Sequence, residues 1–232
     1  MGDQKALLRN FLSNRLRSAD EISSVNTRFT ELYAGEHFYD SAVILCSALS
    51  ALSAIKWPGR GIDRARFVEA LVRYAPDELG LTKISVESLI TSDWCSKHSQ
   101  VQAKLTTYFS QTIHSKTIYL ADELDKDDVE VSKIDSQIGM KTVREYSRAN
   151  ILYSQFRSGL IHEYLLGNQL TALNLSPSEE LPSYTNITDS TSTIRRLHLP
   201  YIFVRRLTEE VGTNLIEDYG GPESPPLWWV NG

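Results

Sequence analysis

The chain is poor in sulfur: its 232 residues include two cysteines and two methionines. Cys46 and Cys95 are too few for a disulfide framework and lack the close spacing of metal ligands. A reducing, cytoplasmic compartment is the expectation that follows. Surplus positive charge is also missing. Twenty-four Lys and Arg stand against 29 Asp and Glu, for a net charge of −5. Proteins that coat nucleic acid nonspecifically are usually basic. A broad electrostatic grip on RNA or DNA is therefore not expected, while a local basic cleft stays open. Long apolar runs are absent as well. The longest candidate, "SAVILCSALSALSAIKW" at 41–57, is broken by four serines and follows Asp40, so it reads as a buried core helix and not a membrane span. The first 17 residues show neither a separate apolar region nor a small-residue cleavage site, so no leader is expected. Ala6 occupies the usual Ser/Thr position of a myristoylation signal, which discounts lipidation.

Several chemistries lack their motifs. There is no P-loop, no glycine fingerprint for dinucleotides, no Gly-x-Ser-x-Gly elbow and no His-Glu-x-x-His pair. His37, His98, His114, His162 and His198 never fall three or four apart, so no local zinc pair is encoded. The acidic run "ELDKDDVEV" at 123–131 lacks the spacing and central glycine of a calcium loop and reads as a wet loop. No metal and no organic cofactor is implied.

What is present is helical periodicity. A first helix is expected over 4–17, with Leu7, Leu8, Phe11, Leu12 and Leu16 on one face. Its basic opposite face suits a membrane surface in principle, but packing on the chain's own core is the favoured reading. A second helix is expected from Ser23 or Ser24 to about Tyr33, with Gly35 as its interruption, and a third over 37–56. "WPGRG" stops the third. Residues 62–75 form a clean amphipathic helix with Asp63 as N-cap and Phe67, Val68, Leu71 and Val72 as its apolar stripe. Short helices follow within 76–100, then a long helix from Ile138 to about Leu166 and a last one over 200–219. Residues 167–193 form an exposed polar insertion with room for a small hairpin ending in "TIRRLHL". No strand-like alternation of any length and no internal repeat is visible. The fold expected is an all-α bundle of four to six main helices: one domain, core about 20–219, tail 220–232. In that tail, Trp228 and Trp229 are expected to cap the domain's own core.

One stretch carries the functional question. "YSQFRSGLIHEY" at 153–164 sets Arg157 and His162 among apolar and aromatic residues. With 15 arginines and five histidines, an Arg followed after four to six residues by a His arises about once by chance. The context is more informative than the spacing. On a helix Ser158 and His162 stack at i and i+4, and Arg157 flanks them. Leu152, Phe156 and Leu160 fall on the core face. Gly159 would let another helix approach closely, a use that offsets glycine's poor helix preference.

"FRSGLIHEY", preceded by "YDSAVILCSALSALSAIKWPGRG" and "RFVEALVRYA", resembles the HEPN superfamily over roughly residues 20–166, with the last helix completing the bundle. The family signature is an Arg, four to six residues, then a His near the end of a core helix. Asn, Asp or His often follows the arginine; this chain has Ser158. The resemblance implies a homodimer that cleaves RNA without metal at a cleft between protomers. His162 would act as general base or acid, Arg157 would hold the scissile phosphate, and Ser158 would orient the histidine. Arg144 and Arg148 would extend the RNA-binding surface. It further implies toxin–antitoxin or antiphage roles, with an antitoxin or regulatory partner. A noncatalytic RNA- or ligand-binding module is the alternative.

Overall fold

A computed structural model of the chain describes residues 2–24, 36–110, 118–163, 165–171, 180–188 and 193–231. Of the helix expected from Ser23 or Ser24 to about Tyr33, residues 25–33 lie outside them, and Ser23 ends the first helix. Among the described residues four helices make the main layer. Helix α1 spans Gly2–Ser23, α2 Glu36–Lys56 and α3 Asp63–Tyr74. Short helices follow: α4 Val86–Ile90, α5 Asp93–Ser96, α6 Ser99–Ser110, α7 Ala121–Leu124 after strand β1 Ile118–Leu120, α8 Asp128–Ser132, α9 Met140–Arg144 and α10 Arg148–Ile151. A π-helical segment, Leu152–Arg157, leads into α11 Ser158–Glu163. Strands β2 Leu170–Thr171, β3 Ser183–Thr188 and β4 Thr193–His198 precede the last long helix, α12 Tyr201–Glu217.

The main core is built as the periodicity dictates. Leu8, Leu12, Leu16 and Ala19 bury one stripe of α1, which leaves Leu7 exposed and Phe11 half-buried, contrary to the expected face, and Phe203, Val204, Leu207, Val211 and Leu215 bury one stripe of α12. Both pack on α2, which is a core helix: Ala42, Leu45, Leu49 and Leu52 are buried among its neighbours. In α3 the Phe67, Val68 and Leu71 of the expected stripe are buried, and Val72 is half-buried. Asp63, however, is not the N-cap. Ile62 holds that position, and the Asp63 carboxylate pairs with Arg66 inside the first turn.

A second, smaller core gathers Ile84, Val86, Leu89, Cys95, Val101, Leu105, Phe109, Val131, Ile138 and Val143. Two of its short helices, α4 and α5, start on serines. The Ser85 and Ser92 side chains accept from the backbone N–H of Ser88 and Cys95, each serving a donor the helix leaves orphaned. The acidic stretch 123–131 is not a plain loop. It carries part of α7 and most of α8, because Leu124 and Val131 are buried and pin one turn each.

The chain is mostly helical but not all-α. A four-stranded mixed sheet runs in the order β1-β3-β4-β2. The expected hairpin is there, as antiparallel β3 and β4 with Tyr184 opposite Leu197. β1 pairs antiparallel to β3, and β2 parallel to β4. With three and two residues, β1 and β2 are too short for alternation to show in sequence.

The two cores meet at a buried ion pair. Residues Leu81–Ser85 bridge the neighbouring segments: Ile84 exchanges backbone hydrogen bonds with Lys126, and Arg148 and Ala149 donate to the carbonyls of Lys83 and Leu81. In this seam Arg148 is 2 % exposed. Its Nε donates to Asp125 Oδ2 at 2.6 Å and its Nη2 to Asp122 Oδ1 at 2.7 Å. Tyr184 donates its hydroxyl hydrogen to Asp125 Oδ1 at 2.8 Å and lies 2.6 Å from the Ser85 hydroxyl. Burial pushes the Asp125 carboxyl above its usual range, and Arg148 opposes that.

The tail is docked, as expected of Trp228 and Trp229. Lys56 is fully buried, 2.6 Å from Glu223 Oε1 and 3.0 Å from Asp218 Oδ2. Burial alone would lower the Lys56 pKa, but Glu223 and Asp218 outweigh it and raise it. Trp228 meets the Trp57 ring edge-on at 5.8 Å, and the Trp229 backbone N–H donates to Glu69 Oε2 at 2.8 Å.

Two outcomes follow from these contacts. Arg148→Met, which strands the Asp125 charge, is expected to cost about 3–5 kcal/mol in urea unfolding. A hydrogen bond from Tyr74 and the charge of Lys56 hold Asp218 below its ordinary 3.8. A carboxyl depressed in the folded state stabilises the fold above its unfolded pKa and loses that contribution as pH falls toward the folded value. Acid titration followed by tryptophan fluorescence should therefore show a step below pH 3.8 that Asp218→Asn removes.

Candidate functional site

The helix expected to run unbroken from Ile138 to Leu166 is interrupted twice. It stops at Arg144 and restarts at Arg148, where the Ser147 side chain caps α10 by accepting from the Asn150 N–H. It then widens into the π-helical segment. The Ser158 N–H reaches back five residues to the Tyr153 carbonyl. The groups this displaces find other partners. Ser154 donates its hydroxyl to the Asn150 carbonyl at 2.8 Å, and the Gly167 N–H donates to the Gln155 carbonyl at 2.8 Å. Such side-chain and loop donors are what let a helix carry an extra residue in one turn.

Arg157 ends this widened turn. Its guanidinium lies over the Tyr153 ring, 5.3 Å from the centroid, and its Nε is 3.4 Å from the Ser50 hydroxyl on α2. Tyr153 is braced in turn by Phe67 at 5.6 Å between ring centroids. Arg157 is half-buried, yet among the described residues no carboxylate pairs with it. Most other described arginines have such a partner, including Arg9, Arg73, Arg144, Arg148, Arg195, Arg205 and Arg206. Cys46, close enough for Arg157 to influence it, is no nucleophile. Burial pushes its thiol to about 12, against the opposing pull of the arginine.

His162 is exposed on α11, and Ser158 one turn earlier is half-buried. Among the described residues neither side chain has a hydrogen-bond partner, so the expected bond from Ser158 to the imidazole is not formed. Leu152, Phe156 and Leu160 are buried on the core face as the spacing predicts. Residues five apart on a helix are separated by about 140° and about 7.5 Å of rise. Arg157 and His162 therefore share one helix end without converging on one point.

Gly159 has a different neighbour from the one expected. What approaches it is the chain's own return, not a second helix. The Leu165 N–H donates to the Gly159 carbonyl at 3.3 Å, and a β-carbon on Gly159 would lie 2.3 Å from the Leu165 carbonyl oxygen.

The chain matches no family model, no curated protein and no solved structure. Function is accordingly read from the side chains themselves.

The two further arginines expected at the site are elsewhere. Arg148 is locked in the seam between the cores. Arg144 donates to Asp128 at 3.0 Å and to the Trp229 carbonyl at 2.9 Å, with its guanidinium 4.7 Å over the Trp229 ring. Both serve packing, so the expected basic extension is not built from them. Sequence reasoning missed Tyr153 and Ser50. Tyr153, four residues before Arg157, was readable as a helical neighbour. Ser50 is brought in by tertiary packing alone.

Gly159→Ala would force Leu165 backbone to move. The expected loss is about 1–3 kcal/mol in chemical denaturation, with no comparable loss for Gly139→Ala, where a β-carbon would meet nothing.

Proposed function

We propose that the chain is a HEPN-like, metal-independent endoribonuclease that works as a homodimer. The observation that carries this reading is Arg157: half-buried, braced by Tyr153 and Ser50, without a carboxylate partner among the described residues, and on the same helix end as the exposed His162. A guanidinium without a carboxylate is free to take an anionic one, and its planar fork suits two phosphate oxygens. An exposed imidazole can both take and give a proton. In the proposed reaction the ribose 2′-oxygen attacks phosphorus and the P–O5′ bond breaks. One His162 takes the 2′ proton, and the partner protomer's copy of that residue gives a proton to the leaving 5′ oxygen. Arg157 offsets the charge that builds on the phosphorane oxygens. The products are a 2′,3′-cyclic phosphate and a 5′-hydroxyl. Pairing two copies also answers the divergence of the two side chains within one helix. Deployment as a toxin or in antiphage defence, restrained by an antitoxin or regulatory partner, belongs to the same proposal.

A second reading has its own support. Ser158 does not hold His162, and no other described residue orients the ring, which suits a noncatalytic RNA- or ligand-binding module. One assay separates the two. Purified protein with mixed RNAs in EDTA is expected to yield cyclic-phosphate ends, and Arg157→Ala or His162→Ala to lower the rate by at least about 100-fold. Intact RNA with EDTA and with divalent metals, together with binding that Arg157→Ala weakens, would establish the module instead.

A further inference from the structure

The sheet has two sides, and one of them faces the main core. Tyr184 and Leu197 face inward. The alternating residues face the other way, where Ser183 stands directly across from His198 and Thr185 across from Arg196. Ser183, Thr185 and His198 are buried and Arg196 is half-buried. Opposed β-carbons in an antiparallel pair lie about 5 Å apart and same-face neighbours about 7 Å. Four polar side chains thus root at the corners of one small patch.

Their polar tips are unserved. Ser183 Oγ, Thr185 Oγ1, Arg196 Nε and His198 Nε2 are buried without a hydrogen-bond partner. Among the described residues five side-chain atoms are in that condition, and four of them are here; the fifth, Trp57 Nε1, is in the main core. The adjacent Arg195 makes the contrast. It donates to Asn186 and Glu87 and lies over the Tyr119 ring. Each buried polar group left unserved costs on the order of 1–3 kcal/mol, so the patch calls for one polar occupant.

The count of donors and acceptors says which kind. His198 Nδ1 lies 3.2 Å from the Thr171 carbonyl, so that nitrogen carries the hydrogen. Burial pushes the His198 pKa down, against the pull of that carbonyl, so the ring is neutral at pH 7 and Nε2 is an acceptor. Arg196 Nε and the two hydroxyls are donors, and the guanidinium brings positive charge. The complement is an anion with several acceptor oxygens and one O–H. A hydrogen phosphate has both; sulfate and carboxylates lack the proton at that pH.

We propose that this face of the sheet, formed by Ser183, Thr185, Arg196 and His198, is a binding site for a protonated phosphate group. It stands or falls independently of RNA cleavage by Arg157 and His162. The test is calorimetric titration and thermal unfolding of the full chain at pH 7 and fixed ionic strength, with inorganic phosphate, phenyl phosphate and sulfate. Inorganic phosphate is expected to bind with a Kd of about 1 mM or tighter, and sulfate at least about 10-fold more weakly. Added binding of phenyl phosphate extends the site to monoesters; its failure confines it to the free ion. Arg196→Gln is expected to weaken phosphate at least about 10-fold. Ser183→Ala supplies a check that does not depend on that variant folding, because removing an unserved buried oxygen should stabilise the ligand-free chain while weakening phosphate. Equal stabilisation by phosphate and sulfate, no saturation by about 10 mM, undiminished binding by both variants, or a crystal structure from phosphate showing only water at the four atoms would each overturn the proposal.

Discussion

Arg148 holds a full charge where almost no water reaches, and much of the chain's organisation follows from satisfying it. Its carboxylate partners come from the α7 region, its backbone is bonded to the Leu81–Ser85 segment, and the hydroxyl that completes Asp125 comes from β3. Gly80 belongs to the same arrangement. It takes the left-handed conformation at φ 60°, and a β-carbon there would lie 2.7 Å from Arg148 Nη1. A buried charge of this kind specifies one arrangement more than it adds net stability. It makes the two cores one unit, since neither Asp125 nor Arg148 is tolerable alone. It also has a kinetic side. Tyr184 is 99 residues from Ser85 and 59 from Asp125, so the seam closes only after distant segments have met.

How much of this was legible depends on what each element rests on. The long amphipathic helices rest on their own periodicity, and α2, α3 and α12 fall within a few residues of their expected bounds. The hairpin and the inward fate of Trp228 were legible too. What was not legible was local conformation decided by distant groups. The π-helical turn depends partly on a backbone donor at Gly167, and the helical turns in the acidic stretch depend on pockets for Leu124 and Val131. At the site, the core face of Leu152, Phe156 and Leu160 was readable, and the roles of Arg144 and Arg148 were not. An arginine in a sequence looks the same whether it will meet a ligand or its own carboxylates, because only the tertiary fold supplies the latter.

That distinction is also how an acidic chain keeps a usable positive charge. Most of its described guanidinia are neutralised internally, and a free one stands out electrostatically against that background. Arg157 is kept apart by its surroundings: an aromatic ring beneath it and a serine beside it offer contact without charge. An aromatic face attracts a cation while leaving its outer N–H donors available. The acidic excess then disfavours nonspecific attachment to polyanions elsewhere on the surface.

The widened turn before Ser158 behaves like a thread with one extra step cut into it. An α-helix advances about 1.5 Å and 100° per residue. Removing a single residue from Leu152–Arg157 would let the turn relax to ordinary pitch, leaving the composition of the helix nearly unchanged. Everything beyond it would keep nearly its present angle about the axis, whereas the same deletion from a regular α-helix would screw the rest round by about 100°. The widened turn is therefore what lets this helix hold one residue more than ordinary pitch allows without turning its far end away from α2.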